Sequence, residues 1–449
     1  MSLDPKIKRT NWLRTGALSA LLLTVVGCTP ATEISSEQQV STPIATNNGL
    51  VMASPEEAGM DSTRLDRITN AMQEYVDDGL LAGVVTMAAR DNKIVHFESV
   101  GYRDLETQSP MTNDAIFRIY SMSKPITGVA LMMLYEENKF NLNDPVEKYL
   151  PEFRDLQVYA GEDEEGNMIT EPQNHPMTIR ELMSHTGGLT YGIFAQSGVD
   201  SQYVEADLLN TDNTLEEFSR KLSQIPLKHQ PGAQWEYSVS VDLQGYLVEK
   251  LAGQPFGEFL EQRIFDPLGM TDTDFHVSEE KASRFAQVYG YDDNGELLAG
   301  EGFPGANFLR DPAFESGGGG LVSTAMDYMR FSKMLLNGGE LEGVRILAPL
   351  TVELMHKDHT PRGMQGAMSK ATGTVFGLDF AVIQDPVLAE SYSTGEYYWG
   401  GAAGTWFWID PVEDLVFVGM IQQFGGQLPN VRGTSKRLLY QSIMDSYAD

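Results

Sequence analysis

Ser121-Met-Ser-Lys124-Pro-Ile-Thr-Gly-Val-Ala-Leu-Met-Met-Leu134 opens on a Ser-x-x-Lys tetrad and runs directly into a segment that is apolar on most faces. With Ile126, Val129, Leu131, Met132, Met133 and Leu134, this run predicts a buried helix over about 125–140. Residues three apart on a helix share a face, which sets Lys124 beside the hydroxyl of Ser121. The unpaired amides and dipole of a helix N-terminus favour negative charge developing on that serine. A serine is inert at its own pKa and needs such a partner, so Ser121 is the candidate nucleophile and Lys124 its activating group. The tetrad alone is not specific. Ser278-Glu-Glu-Lys281 matches it too, in a polar stretch with no helix nucleus behind it.

Working outward, Leu65, Ile68, Met72 and Val76 have helical spacing over 61–78. Two extended runs, 83–89 and 94–100, flank Arg90-Asp-Asn-Lys93 and predict a hairpin. The middle of the chain alternates helical patterns with polar loops: a Thr-x-x-Glu capping box at Thr178 to Glu181, then helices over 216–222, 241–251 and 256–264. Thr324 opens another helix after the Gly317 to Gly320 run. Strand patterns return at 375–383, 405–409 and 415–422, before a last helix over about 433–447. Strands at both ends with helices between them predict an α/β lobe of about 50–143 and 312–449, with a helical lobe of about 144–311 inserted in it. Short loops without crossover helices make the sheet antiparallel.

Two further segments carry chemistry. Tyr237-Ser-Val239 follows the turn Gln230-Pro-Gly-Ala-Gln-Trp235, where a tyrosine between lobes can act as a general base if a cation favours its phenolate. Trp399-Gly400-Gly401-Ala402 places paired glycines next to a strand, where backbone can approach a ligand and an amide can face an oxyanion. In this order the three motifs resemble those of the serine β-lactamase and penicillin-binding-protein superfamily, most closely class C β-lactamases and family VIII carboxylesterases. Leu182-Met-Ser-His-Thr-Gly-Gly-Leu189, Ile264-Phe-Asp-Pro-Leu-Gly-Met270 and Gly318-Gly-Gly-Leu-Val-Ser-Thr324 extend the resemblance over nearly the whole mature chain.

The resemblance implies a β-lactamase/transpeptidase-like fold, α/β plus all-α. It makes Ser121 the acylated nucleophile, and Lys124 and Tyr237 the pair that moves its proton. The backbone amides of Ser121 and Ala402 become the oxyanion hole, and Val239, Trp399, Gly400 and Gly401 the substrate-binding positions. His185-Thr-Gly187 mimics the third motif out of order and is expected to be structural. Val239 and Trp399 stand where β-lactamases carry an asparagine and a lysine that hold polar substrate groups. Sites built to pair such groups discriminate by 10⁴ or more, so their loss points away from β-lactams and towards esters of short acids. A cell-wall D-amino-acid peptidase, a weak class C-type β-lactamase and a non-catalytic binding protein are the competing readings.

No G-x-S-x-G elbow, Walker loop or H-E-x-x-H is present, and no metal or cofactor is expected. His356-Lys-Asp-His359 is expected on a solvated face rather than at a metal. Across the 449 residues, 32 Lys and Arg against 63 Asp and Glu give a net charge of −31, which disfavours a nucleic-acid partner. The N-terminus differs: Lys6, Lys8, Arg9 and Arg14 precede the apolar run 16–27 and then Cys28, the only cysteine. That pattern is an export signal too short to span a membrane, and Val25-Val-Gly-Cys28 resembles a lipobox. Residues 1–27 are expected to be removed. Residues 28–49 form a tether lipidated at Cys28, and 50–449 the hydrolase domain. With Thr29 after the cysteine, a lipid-anchored protein on the periplasmic side of a Gram-negative outer membrane is expected.

Overall fold

The computed structural model describes residues 49–193, 197–292, 294–300, 302–303, 307–364, 368–425 and 428–448. The expected export signal, lipidated Cys28 and most of the tether lie outside the described residues. Among the described residues, no helix is long and apolar enough to cross a membrane.

Nine strands form one sheet: β1 (Val51–Met52), β2 (Gly83–Arg90), β3 (Lys93–Asp104), β4 (Ser109–Pro110), β5 (Thr374–Phe376), β6 (Ala381–Ile383), β7 (Tyr397–Gly400), β8 (Trp406–Asp410) and β9 (Leu415–Met420). Their order is β1-β3-β2-β9-β8-β7-β6-β5, with β4 on β3. All pairs are antiparallel except β1 with β3. The hairpin turn consists of Asp91 and Asn92, at φ 52° and 58°, a region that these two residue types tolerate. Pairing of β9 with β2, from Leu415 opposite Arg90 to Met420 opposite Val85, joins the two ends of the chain.

β2 is buried along its whole length because both faces of the sheet are covered. Val85, Met87 and Ala89 face the main core, while Val84 and Ala88 alternate onto a second cluster with Ile68, Met72, Trp408 and Leu439. That second cluster is closed by α1 (Arg67–Asp77) and by the C-terminal helix of the chain. On the main-core side lies α2 (Ser123–Glu136), buried from Ser123 to Leu134. The inserted segment contributes α3 (Ile179–Met183), α4 (Leu215–Leu222), α5 (Ser240–Ala252) and α6 (Phe256–Leu260), and α5 packs directly on α2. The capping box ahead of α3 forms as expected, with the Glu181 carboxylate accepting from the Thr178 amide at 2.9 Å. After it come α7 (Ala325–Leu336) and α8 (Val431–Tyr440).

Several elements differ from the sequence reading. The stretch 375–383 is a hairpin, β5 and β6, because Asp379 turns at φ 64° and Gly377 lies against the Met355 carbonyl, where a Cβ would come within 2.2 Å. Strand β7 was not expected; its four residues end in glycine and show no alternation. The expected 61–78 helix is broken at Asp66, which closes one short helix and opens α1. The last helix stops at Tyr440, and the chain beyond it pairs Ile443 with Met60 and gives the Asp445 carbonyl to buried Arg90. The inserted segment also holds two ribbons, Gln157–Glu162 with Met168–Pro172 and Val288–Tyr291 with Leu297–Gly300, where only helices and loops were expected.

Candidate active site

The approach to Ser121 is tight. Phe117–Arg118 pairs with Val322–Ser323, which brings the Gly317 to Gly320 run alongside. Tyr120 has φ 43°, uncommon for a bulky residue, and a single turn, Tyr120–Met122, then delivers Ser121 to the start of α2. Lys124 lies in the first turn of α2 and is 0% exposed. Its ammonium donates to the Tyr191 hydroxyl at 2.8 Å and the Gly318 carbonyl at 2.6 Å, and lies 3.4 Å from the Ser121 hydroxyl. Those three partners match its three N–H donors.

The pairing predicted from spacing therefore exists. Around it stands an aromatic box. The Tyr237 ring centroid is 4.6 Å from Lys124 Nζ, a cation–π contact that holds the tyrosine beside the charge. His185, Tyr191 and Trp399 flank Tyr237 with ring centroids at 5.0, 5.2 and 5.5 Å. Trp399 Nε1 donates to the Tyr237 hydroxyl at 3.4 Å.

His185, expected to be structural, makes contacts that position Tyr237. Its carbonyl accepts from the Glu236 amide and the Thr190 carbonyl from the Val239 amide, so residues 185–190 form the bed on which Tyr237 lies. Gly188, at φ 89°, is obligatory there, since a Cβ would fall 2.1 Å from the His229 carbonyl. Burial, with Lys124 nearby, holds the His185 pKa well below 6.5, so the ring is neutral and bonds Ser238 Oγ through Nδ1 at 3.0 Å.

Ala402, expected to supply an oxyanion-hole amide, is exposed and lines the same cavity as Ser121. Val239 does not, and its expected role is corrected. At φ −70°, ψ 14° it caps α5, so the extended alternation from Tyr237 is lost and its side chain is fully buried in the core. Trp399 touches Tyr237 rather than the cavity. The glycines serve packing: a Cβ on Gly400 would meet the Arg432 guanidinium at 2.5 Å, and one on Gly401 the Ile119 carbonyl at 2.4 Å. This close approach seats the end of β7 against the turn carrying Ser121.

Two residues that the sequence reading missed belong to the site. Tyr191 is half-buried, lines the cavity and accepts from Lys124, and desolvation together with Tyr237 and Asp242 pushes its phenol well above 10, so it stays protonated. Asp242 lies in the first turn of α5 and accepts from Ser316 Oγ and from the Gly318 amide at 3.0 Å. It thus braces the carbonyl that Lys124 uses. Burial raises its pKa against the opposing pull of Lys124. An acid among Val241, Leu243, Tyr246, Leu247 and Val248 on an all-round apolar helix was the signal available in the sequence.

The cavity over Ser121 measures about 290 Å³. Tyr120, Phe275, Phe303, Phe308 and Phe314 wall it, and no Lys or Arg is among its described lining residues. Ser278 and Lys281 lie elsewhere, with Lys281 on Asp272. His356 and His359 are half-buried instead of solvated: the first stacks on Tyr397 at 4.7 Å, and the second bonds Arg180 and the Leu354 carbonyl. Among the described residues, no group of three or more His, Cys, Asp or Glu could hold a metal ion.

Residues 68–441 match the family described as Beta-lactamase. The chain is 36% identical over 367 residues to Protein Rv1367c of Mycobacterium tuberculosis, covering 80% of this chain and 90% of that one. Esterase EstB of Burkholderia gladioli is 29% identical over 366 residues, covering 77% and 86%. Among solved structures, EstCE1, a hydrolase with promiscuous acyltransferase activity, has a TM-score of 0.70 at 28% identity, over 84% of this chain and 99% of its own. With a sheet closed by both chain ends, Ser121 at the head of its buried helix and a match across most of its length, this chain belongs to the Beta-lactamase family and has the β-lactamase/transpeptidase fold.

Proposed function

We propose that this protein is a serine hydrolase that cleaves uncharged carboxylic esters through an acyl-enzyme on Ser121. The observation that carries the reading is the combination of a Ser121–Lys124–Tyr237 cluster with an aromatic cavity whose described lining offers no cation for a substrate carboxylate. The esterases among its relatives support the same chemistry.

In the acylation step, the Ser121 oxygen attacks the ester carbonyl while its proton passes to the Tyr237–Lys124 pair. The ammonium of Lys124, 4.6 Å from the Tyr237 ring centroid, lies beside the negative charge that develops as the proton moves. Negative charge gathers on the carbonyl oxygen, facing the amides of Ser121 and Ala402; one such donor is worth roughly 10²–10³ in kcat. Collapse breaks the bond to the alcohol, which leaves with the stored proton. Water then attacks the acyl-enzyme, gives its proton to the same pair and releases the acid, returning the proton to Ser121. Short acyl groups remain part of the proposal through the family resemblance, and faster turnover of acetate than octanoate is their signature.

Purified mature protein assayed with p-nitrophenyl butyrate and with a chromogenic cephalosporin is expected to give a kcat/KM for the ester higher by 10² or more. Faster cephalosporin turnover, or a stable penicillin adduct on Ser121 without ester turnover, overturns the reading in favour of a β-lactamase or D-amino-acid peptidase.

A further inference from the structure

The Gly317 to Gly320 run lies across the cavity from the nucleophile, and its four glycines are not equivalent. A Cβ on Gly317 would meet the Val241 carbonyl at 2.7 Å, on Gly318 the Asp242 carboxylate at 2.5 Å, and on Gly320 the Ser316 carbonyl at 2.9 Å. Close packing forces glycine at those three. Gly319 is different. Its φ is not positive, and a Cβ there meets nothing closer than the Tyr120 backbone at 3.8 Å, which is ordinary contact. Neither backbone conformation nor packing of the loop requires a glycine at this position. Because Gly319 lines the cavity beside the Tyr120–Ser121 backbone, any side chain longer than alanine would project into the space in front of the nucleophile.

The remaining walls indicate what that space admits. Tyr120 and Phe308 meet edge to face at 5.8 Å, and Phe275 and Phe314 line the cavity with them. At the mouth, Ile193, Leu209 and Phe303 line it while staying 54%, 39% and 41% exposed, an apolar rim continuous with the interior. Contiguous apolar surface of this kind marks a place where an apolar group is covered on binding. A short acyl group on Ser121 fills little of 290 Å³.

Building on the ester-hydrolase reading, we propose that Gly319 is a specificity determinant that holds the cavity open for a bulky aromatic or alicyclic alcohol portion of the ester. The alcohol's rings lie against Tyr120 and Phe308 and extend towards the Ile193–Leu209–Phe303 rim.

The test compares wild type, Gly319→Ala and Gly319→Val on vinyl, phenyl and 1-naphthyl acetate, where only the alcohol grows, and on p-nitrophenyl acetate to hexanoate, where only the acid grows. Thermal unfolding verifies that each variant is folded, and the alanine variant, which meets no close contact, keeps the series readable if valine does not fold. The ratio of kcat/KM for naphthyl over vinyl acetate is expected to fall at least tenfold in the valine variant and less in the alanine variant, with acyl-length preference shifting under threefold. An equal loss across the alcohols, or a loss that follows acyl length, overturns the proposal. If wild type turns over no ester, the hydrolase reading fails by itself. Rates of Ser121 labelling by methyl and naphthylmethyl fluorophosphonates then test Gly319 independently: the same tenfold shift supports it, and no shift overturns it.

Discussion

Ser121-Met-Ser-Lys124 and Ser278-Glu-Glu-Lys281 have the same spacing and opposite fates. At the first, a left-handed Tyr120 and a single turn lead into a helix buried from Ser123 to Leu134, and the lysine is 0% exposed, with no carboxylate in ion-pair contact among the described residues. At the second, Ser278 caps a short solvent-facing turn, and Lys281 spends its charge on Asp272 at 3.2 Å and the Thr271 carbonyl. A lysine neutralised by its own ion pair has little field to lend a serine. Burial without a touching counter-ion is what makes the first lysine electrostatically effective, because charge interactions strengthen as the effective dielectric falls.

The largest effect expected from this contrast lies in the serines. Ser121→Ala lowers kcat/KM for p-nitrophenyl butyrate by about 10⁴-fold or more and abolishes fluorophosphonate labelling. Ser278→Ala leaves both within twofold of wild type. Equal losses at the two sites would erase the distinction between them.

Next in size is a pH effect confined to the second region. Asp327, beside Asp272 and Lys281, is pushed up to about 6 by burial, although it accepts from the Asp272 amide and Thr273. Its folded pKa lies above the unfolded value of 3.8, so the folded state holds the proton more tightly. The stabilisation from that proton is complete below the unfolded value and is lost as pH rises through about 6. Asp327→Asn keeps the acceptor and removes the titration. Urea unfolding across pH 4–7 is expected to show stability declining less in the variant, by a difference on the order of 3 kcal/mol. An unchanged slope would show that Asp327 titrates alike folded and unfolded. The ester hydrolysis proposed for the other region is expected to keep its pH profile in this variant.

How much of this was legible in the sequence follows from where each signal resides. Ser121, Lys124 and Tyr237 were readable because local spacing and chain order carried them, and the sheet closed by both ends was readable from strands at both ends. Tyr191 and Asp242 were not, since each acts only through a neighbour far along the chain: Lys124 for the one, Gly318 for the other. Val239 was misassigned for a local reason. Its position two after Tyr237 puts both on one face only if the backbone stays extended, and it instead turns into α5 there. Strand β7 escaped because Tyr397-Tyr-Trp-Gly400 owes its conformation to β8, with Trp399 opposite Phe407, and not to its own pattern.

The smallest effect is the sharpest check on why the second tetrad is silent. Lys281 is 37% exposed and Asp272 17%, so solvent screens their attraction. Asp272 also keeps Arg284 at 2.9 Å through Nη1, which leaves the carboxylate paired when the lysine is gone. Lys281→Gln is therefore expected to cost no more than about 1 kcal/mol in urea unfolding. A loss of several kcal/mol would mean that Lys281 bears a buried load like that of Lys124. The contrast between the two tetrads would then rest on the approach to each serine, the left-handed Tyr120 above all, and not on the environment of its lysine.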